Sequence, residues 1–163
     1  MPSGSLTIEQ VLTLLAETPP RLESLTAGLA PAQVRTAPNA DEWSANDVLA
    51  HLRACADVWG GCIAAILAQE RPTLRAVDPR TWIEQTDYRE LEFRPSLRAF
   101  AAQRADLLAV LEPSPPEDWS RAATVTGAGK VLERTVLFYA RWLAGHERPH
   151  VKQVARIVDT MRA

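Results

Sequence analysis

The stretch SANDVLAHLRACADVWGGCIAAI, residues 44–66, decides the fold because it contains a helix start followed by a long apolar stripe. Ser44 is placed as an N-cap with Asp47 as its capping-box partner, and Trp43 and Val48 are spaced for a hydrophobic staple. The stripe then advances by alternating steps of four and three residues, through Val48, Leu52, Cys55, Trp59, Cys62 and Ile66. This spacing predicts a helix with one face in a bundle.

Three other segments share this helical periodicity, and no segment shows a convincing strand alternation. The first helix opens at Thr7 with Gln10 as its box partner. Its apolar stripe keeps phase through Pro19 and Pro20, which favours one kinked helix over a second helix capped by Thr18. We therefore predict an all-α fold, a four-helix bundle formed by a single domain over residues 1–163.

The third predicted helix begins loosely near Glu84 and firmly at Pro95, has Arg104 in phase with its apolar stripe, and stops at Glu112. The fourth runs from about Val131 to Met161, with a face that comprises Thr135, Tyr139, Trp142, Leu143, His146, His150, Val154, Ile157 and Met161. Long loops over residues 30–41, 71–82 and 113–130 connect the helices, and loops of this length often have a function or cover an open end.

Composition and charge exclude several classes of protein. The chain is 47% hydrophobic and 23% charged, as in globular proteins, and its net charge of -2 gives no general attraction to nucleic acid or anionic membranes. The opening residues MPSGSLT show no signal peptide, and the apolar runs are shorter than a membrane span. Cys55 and Cys62 lie about 10 Å apart along one helix, too far for a disulfide. We expect a reduced, cytoplasmic protein.

The three histidines of the chain predict a metal site. His146 and His150 are four residues apart, so their rings project from one face of the fourth helix. His51 lies at the edge of the apolar stripe of the second helix. Three buried imidazoles without partners would be costly, whereas one shared divalent ion satisfies all of them. Three protein ligands leave a position open for water or substrate, which is the pattern of a catalytic site.

Four motifs, taken together, resemble the DinB/YfiT-like superfamily over nearly the whole chain. They are LLAETPPRLESLTAGL at residues 14–29, EWSANDVLAHLRACADVWG at 42–60, PSLRAFAAQRADLLAVL at 95–111 and HERPHVKQVARI at 146–157. The resemblance implies a four-helix bundle that holds a divalent metal with one histidine of the second helix and an H-x3-H pair of the last. These positions correspond to His51, His146 and His150.

The resemblance also implies a class of activity. Characterised members include thiol-dependent S-transferases and isomerases, in which the metal activates a low-molecular-weight thiol cosubstrate. We place this activity first, a metal-dependent hydrolase second, and a non-catalytic metal-holding bundle that binds a small molecule third. Three imidazoles suit zinc or nickel, with iron or manganese as alternatives. We expect a small-molecule substrate, no nucleic-acid or membrane partner, no organic cofactor site, and a homodimer as the protein assembly.

Two features of HERPH at residues 146–150 suggest other interpretations. The pentapeptide spells HExxH, the zincin protease motif with Glu147 as general base. A zincin also needs a third ligand, usually downstream, and an edge strand, and neither is visible, so we interpret Glu147 as a solvated or second-shell residue. Pro149 stands between the paired ligands, where it removes a helix hydrogen bond to Gly145. We expect the helix to bend there.

Several neighbours of the histidines are candidates for the surrounding pocket. Trp142 and Tyr139 lie one and two turns before His146, so they are either core residues or walls of a pocket beside the metal. Asp47 is first a capping residue and second a partner for an imidazole N–H. Cys55 is either a fourth ligand or a small core residue, and we favour core. No side chain is assigned as catalytic.

Overall fold

The computed structural model describes residues 6–163 of the chain. Four long helices make up most of it: α1 Ile8–Thr26, α3 Ala45–Ala68, α5 Phe93–Leu111 and α7 Val136–Arg162. One-turn helices occur in the connections: α2 Pro31–Val34, α4 Pro79–Trp82, α6 Pro116–Trp119 and a 3-10 turn at Ile83–Gln85. α7 packs against α3 and α1, and α5 packs against the same two helices. The predicted four-helix bundle is confirmed, with α5 and α7 diagonally opposite.

Both predicted capping boxes are present at the starts of α1 and α3. The Thr7 hydroxyl accepts from Gln10 N at 3.1 Å, and the Gln10 side chain accepts from Thr7 N at 2.9 Å. Ser44 and Asp47 make the same reciprocal pair at 3.1 Å in both directions. Each box satisfies two N–H groups that the first helical turn leaves without a partner, so the sequence fixes where these helices begin.

Helix α1 continues through Pro19 and Pro20 as one helix, as the preserved phase predicts. The Thr18 hydroxyl donates to the carbonyl of Leu14 at 3.1 Å, so Thr18 does not cap a second helix. Proline has no N–H, and therefore Pro19 leaves the Leu15 carbonyl without its usual helical donor. This buried oxygen takes its hydrogen bond from elsewhere in the bundle, as described below.

The expectation of a chain without strands is wrong. Two of the long loops, together with the first residues of the predicted fourth helix, form a three-stranded sheet of order β1-β2-β3, with β1 Thr73–Arg75, β2 Ala122–Thr126 and β3 Leu132–Thr135. β1 is parallel to β2, and β2 is antiparallel to β3, with Ala122 opposite Thr135. These strands have three to five residues, too few for alternation to be recognised among loop residues.

The sheet also changes the boundaries of two predicted helices. Residues 132–135 belong to β3, so α7 begins at Val136 rather than Val131, and the Thr135 hydroxyl caps it by accepting from Phe138 N at 3.0 Å. The loose start near Glu84 is a separate 3-10 turn, and α5 begins at Phe93. In both places the helical spacing of apolar residues extends beyond the helix itself, so the predicted start of the helix came too early.

Two apolar clusters fill the bundle, one at each end. One cluster, near the sheet, comprises residues that include Val11, Leu15, Ile63, Leu111 and Leu143. The other, at the opposite end, includes Leu22, Leu49, Phe100, Val151 and Ile157. Between the two clusters, each of the four long helices places a polar residue or a proline toward the inside of the bundle. These residues are Pro19 of α1, His51 of α3, Arg104 of α5, and His146 and Glu147 of α7. We call this level the polar layer, and it contains the candidate site.

Helix α3 is, by length and composition alone, the one helix among residues 6–163 that is apolar enough to cross a membrane. Its buried residues include Val48, Leu49, Leu52, Ile63 and Ile66, which pack inside the bundle, and it carries the charged residues Asp47, Arg53 and Asp57. It is the core helix of the bundle, and the fold has no clear membrane span. Residues 1–5, on which the expectation of a missing signal peptide largely depends, lie outside the described residues.

Candidate metal centre

The three histidines meet in the polar layer where α3 faces α7. The ring centroids of His51 and His146 are 5.1 Å apart, those of His51 and His150 4.8 Å, and those of His146 and His150 4.7 Å. All three side chains are half-buried. The structure therefore brings together the three residues that the sequence nominates, from two helices that are adjacent in the bundle.

Two of the imidazoles have nitrogen atoms directly opposed. His51 Nε2 and His146 Nε2 are 2.9 Å apart. Burial, then the charge of His150 and the nearby Arg80 and Arg89, lower the pKa of His51 to about 4. Burial, then His150 and His51, lower the pKa of His146 to about 4 as well. Both rings are therefore neutral at pH 7, and a neutral imidazole is the form that binds metals.

His150 stands at the rim of the cluster and is oriented by two neighbours. Its Nδ1 lies 2.8 Å from Gln153 Oε1. Because a carbonyl oxygen only accepts, this contact places a proton on Nδ1, so Nε2 is the ring nitrogen that could bind a metal. The Trp43 ring stacks on the His150 ring at 6.2 Å and 13°. Metal-ligating histidines usually have such a second-nitrogen partner.

The fit of this donor set to a divalent ion can be judged from distances. Two nitrogen ligands at about 2.0–2.1 Å from a tetrahedral ion are roughly 3.3 Å apart. His51 Nε2 and His146 Nε2 are within a few tenths of an ångström of that separation. Cys55 Sγ lies 3.6 Å from His51 Nε2 and 3.5 Å from His146 Nε2, and these three donor atoms lie within 4.8 Å of one another. The residues fit a single ion, and their role as ligands stays a prediction.

Glu147 is not a solvated residue, so the first of the two alternatives predicted for it is wrong, and the second-shell alternative stays a prediction. Its side chain is 1% exposed and makes a two-point ion pair with Arg104, which is 3% exposed. Arg104 Nη1 donates to Glu147 Oε1 at 2.9 Å, and Nη2 donates to Oε2 at 2.5 Å. The pair crosses the centre of the bundle from α5 to α7. A carboxylate held in this way is neither a free general base nor an available ligand, which argues against the zincin interpretation.

Arg104 also explains the carbonyl that Pro19 leaves free in α1. Arg104 Nη1 donates to Leu15 O at 2.9 Å, so one guanidinium connects α1, α5 and α7 in the polar layer. In the sequence, Arg104 is in phase with the apolar stripe of its helix. A charged residue at a core position implies a buried opposite charge, because burying an unpaired charge is very costly. That signal was present in the sequence and pointed to an acidic partner on another helix.

The three residues proposed for the pocket have different positions. Trp142 is 51% exposed, not on the core face, and lies edge-on to Trp59 with ring centroids 5.8 Å apart. It lines, with His146, a groove of about 800 Å³ along α7 to which Arg141, Arg148 and Lys152 contribute positive charge. Trp142 therefore lies beside His146 but faces solvent, and its role as a wall of a substrate pocket stays a prediction.

Tyr139 and Asp47 lie elsewhere. Tyr139 is 7% exposed and belongs to the apolar cluster near the sheet, where it is hydrogen-bonded to Cys62 and its pKa is raised by burial. It does not line the groove, so that part of the pocket prediction is wrong. Asp47 Oδ2 accepts from Ser44 N, which is its capping role. A hydrogen bond from Asp47 to an imidazole is not present among the described residues.

Helix α7 is continuous from Val136 to Arg162 with Pro149 inside it. Proline at this position leaves the Gly145 carbonyl without its helical donor. Gly145 and Pro149 both line the groove, and Pro149 is exposed. The segment was thus read correctly as helix interior, and the expected bend between the two histidines stays a prediction.

Comparison with known proteins gives two matches. The profile described as the DinB superfamily matches residues 14–154. Among solved structures, the fold is similar to that of YfiT from Bacillus subtilis, with a TM-score of 0.77 and 17% sequence identity over 97% of this chain and 91% of the other. YfiT is described as a probable metal-dependent hydrolase with an unusual four-helix bundle topology. At this identity the likeness shows the fold alone. The comparison with curated protein sequences found no match.

Proposed function

Because the chain belongs to the DinB superfamily, we propose that it is a metal-dependent enzyme in which His51, His146 and His150 hold one divalent ion. The observation that carries the proposal is the convergence of three imidazole rings from α3 and α7 within 4.7–5.1 Å of one another. Three imidazole donors at the edge of a core leave a position open toward solvent, as catalytic sites do.

The surrounding side chains support the site in distinct ways. Gln153 accepts from His150 Nδ1 and so leaves Nε2 of that ring for the ion. Trp43 packs against His51, and Trp59 packs edge-on against His146, each with ring centroids 5.2 Å apart. These aromatic rings fix the imidazole orientations and shield the nitrogen atoms from water. The ion pair of Arg104 and Glu147 holds α7 beside the site and neutralises the one carboxylate next to His146.

A bound divalent ion lowers the pKa of a thiol or water molecule and so supplies a nucleophile at neutral pH. A general base is then unnecessary, which agrees with Glu147 being engaged by Arg104. Zinc or nickel suits three imidazoles best, with iron or manganese next. The groove beside His146 and Trp142 is of a size for a small-molecule substrate.

We place thiol-dependent S-transfer or isomerisation first, on the motifs shared with the superfamily, with a low-molecular-weight thiol as cosubstrate. Metal-dependent hydrolysis is the second candidate, and the description of the similarly folded YfiT favours it. We further propose that the protein acts in the cytoplasm on a small molecule, as a homodimer, without a nucleic-acid or membrane partner. The net charge of -2 supports the absence of a nucleic-acid partner.

Two assays on zinc- and nickel-loaded protein separate the candidates. The first offers a low-molecular-weight thiol with an electrophile, and the second offers activated esters and amides without thiol. Turnover that requires the thiol and is lost in His146→Ala supports S-transfer, and thiol-independent turnover that is lost in the same variant supports hydrolysis. Tight binding of one ion without turnover in either assay would contradict the enzyme and favour a metal-holding bundle that only binds a small molecule.

A further inference from the structure

The sulfur of Cys55 lies inside the histidine cluster rather than among apolar side chains only. Cys55 is fully buried, and its Sγ approaches a ring nitrogen of α3 and a ring nitrogen of α7, His51 Nε2 at 3.6 Å and His146 Nε2 at 3.5 Å. These three donor atoms form the most compact set of metal-ligating atoms among the described residues. The contact spans two helices, so it does not follow from helix geometry alone.

The spacing of the donors is the same on the two helices. His51 and Cys55 are four residues apart on α3, and His146 and His150 are four residues apart on α7. A separation of four places both side chains of each pair on one helix face, one turn apart. The two pairs face each other across the α3–α7 contact. The donor atoms of His51, Cys55 and His146 lie within 4.8 Å of one another, and the ring of His150 lies 4.8 Å from that of His51 and 4.7 Å from that of His146.

Cys62 provides the comparison within the same helix. It continues the stripe seven residues after Cys55, and it is half-buried and hydrogen-bonded to Tyr139. It lies outside the donor cluster. A buried cysteine in an apolar stripe is usually a core residue, and Cys62 fits that description, whereas Cys55 has two imidazole nitrogens beside its sulfur.

We propose that Cys55 is a ligand of the same ion, so that this chain binds its metal through one sulfur and three nitrogen atoms. The proposal rests on the proposed function, since it adds a donor to that site. Ligation breaks the S–H bond, releases the proton to solvent and forms a sulfur–metal bond. A thiolate favours zinc over manganese or magnesium. Catalytic zinc sites can expand to five ligands, so a position for substrate remains.

Cobalt(II) substitution tests this ligand without an activity assay. Cobalt bound to thiolate has a sulfur-to-metal charge-transfer band in the near ultraviolet, while cobalt bound to imidazole alone shows only its visible bands. We expect the charge-transfer band in the wild-type protein and in the control Cys62→Ser. It should be lost in Cys55→Ser and Cys55→Ala, with visible bands retained and metal affinity reduced roughly tenfold or more, since even outer partners contribute 10–100-fold.

The outcomes separate this proposal from the proposed function. Visible cobalt bands without a charge-transfer band in the wild type, or a band that persists in Cys55→Ala, would overturn the sulfur ligand and leave the histidine site intact. A wild-type protein that binds no cobalt, zinc or nickel would overturn both. Circular dichroism of each variant establishes that it is folded, and Cys55→Ala, which keeps the buried position apolar, decides the result if Cys55→Ser does not fold.

Discussion

His146 and Glu147 are neighbours in the chain and both lie in the polar layer, but their surroundings differ. Glu147 has its counter-charge within the protein, because Arg104 reaches it across the bundle and both side chains are 3% exposed or less. His146 instead has two further donor atoms beside it, His51 Nε2 and Cys55 Sγ. The charge of Glu147 is balanced by Arg104, whereas His146 belongs to a cluster of side chains that can donate electron pairs to a metal ion.

The difference shows which of two adjacent residues is available for chemistry. A carboxylate held at two points by a guanidinium gains nothing from an added cation, whereas three half-buried imidazoles do. On α7, Glu147 therefore forms a structural ion pair inside the bundle, while His146 and His150 face α3 and belong to the candidate metal site. The following experiments test that division, in order of decreasing expected effect.

The largest effect is expected on removing one member of the ion pair. Arg104→Met leaves Glu147 buried without a counter-charge, so the free energy of unfolding of the metal-free protein should fall by about 3–5 kcal/mol. The double variant Arg104→Met with Glu147→Leu should recover most of that loss, since it removes both charges. Urea unfolding measures both, and the exposed Arg80→Met is a matched control that should change stability little. A small loss in the single variant would mean that the pair is not buried as described.

Removing a member of the histidine cluster should affect metal binding far more than folding. His146→Ala is expected to raise the metal dissociation constant by roughly a hundredfold or more, because loss of an outer-shell partner alone costs 10–100-fold. The metal-free variant should unfold close to the wild type, since it loses no charge partner. Chelator competition measures affinity, with the exposed Arg156→Ala on the same helix as control. If the metal affinity of His146→Ala were unchanged, His146 would not be a ligand of the ion.

Pro19 in α1 and Pro149 in α7 each leave one backbone carbonyl without its helical donor, so replacing them tests what that carbonyl contributes to stability in each place. Pro149→Ala should stabilise the protein by about 2 kcal/mol, from roughly 3 kcal/mol gained in the helix less up to about 1 kcal/mol for a more flexible unfolded chain. Pro19→Ala should gain less, because Arg104 already bonds the Leu15 carbonyl. Thermal and urea unfolding measure both variants. Equal gains would show that the Arg104 bond contributes nothing at that carbonyl.

If the bend at Pro149 serves the site, the same variant should bind metal more weakly or lose activity while it gains stability. Retention of full affinity and activity in a more stable Pro149→Ala protein would show that the proline is incidental to function. Metal titration of this variant and of Pro19→Ala, which lies away from the histidines, separates a local effect from a general one.

The smallest expected effect is on the secondary structure when metal is removed. Two apolar clusters hold the bundle at either end of the polar layer, so chelation should leave helical circular dichroism unchanged. The ion should still raise the melting temperature, since it binds only the folded state. Loss of most helical signal on chelation would mean that the site is structural, as in a zinc finger.

Much of this arrangement was predictable from the sequence because it depends on local signals. Ser44 with Asp47 fixes the start of α3, and the four-residue spacing of His146 and His150 fixes a shared face. The partnership of Arg104 with Glu147 was not predicted, because the apolar stripe marks Arg104 as a core residue but does not indicate which residue of the diagonal helix faces it. The sheet was missed because its strands are short and because β1 pairs with β2, a strand that is distant in sequence. Local periodicity carries no information about either kind of contact.

The central claim is that the donor cluster between α3 and α7 is a cation site, and elemental analysis of the purified protein tests it most directly. After dialysis against zinc or nickel, the wild-type protein should carry about one divalent ion per chain. His51→Ala removes a single donor from the helix opposite the H-x3-H pair, and it should lose most of that ion. Full retention of metal in His51→Ala, or a wild-type protein without bound metal, would contradict the account.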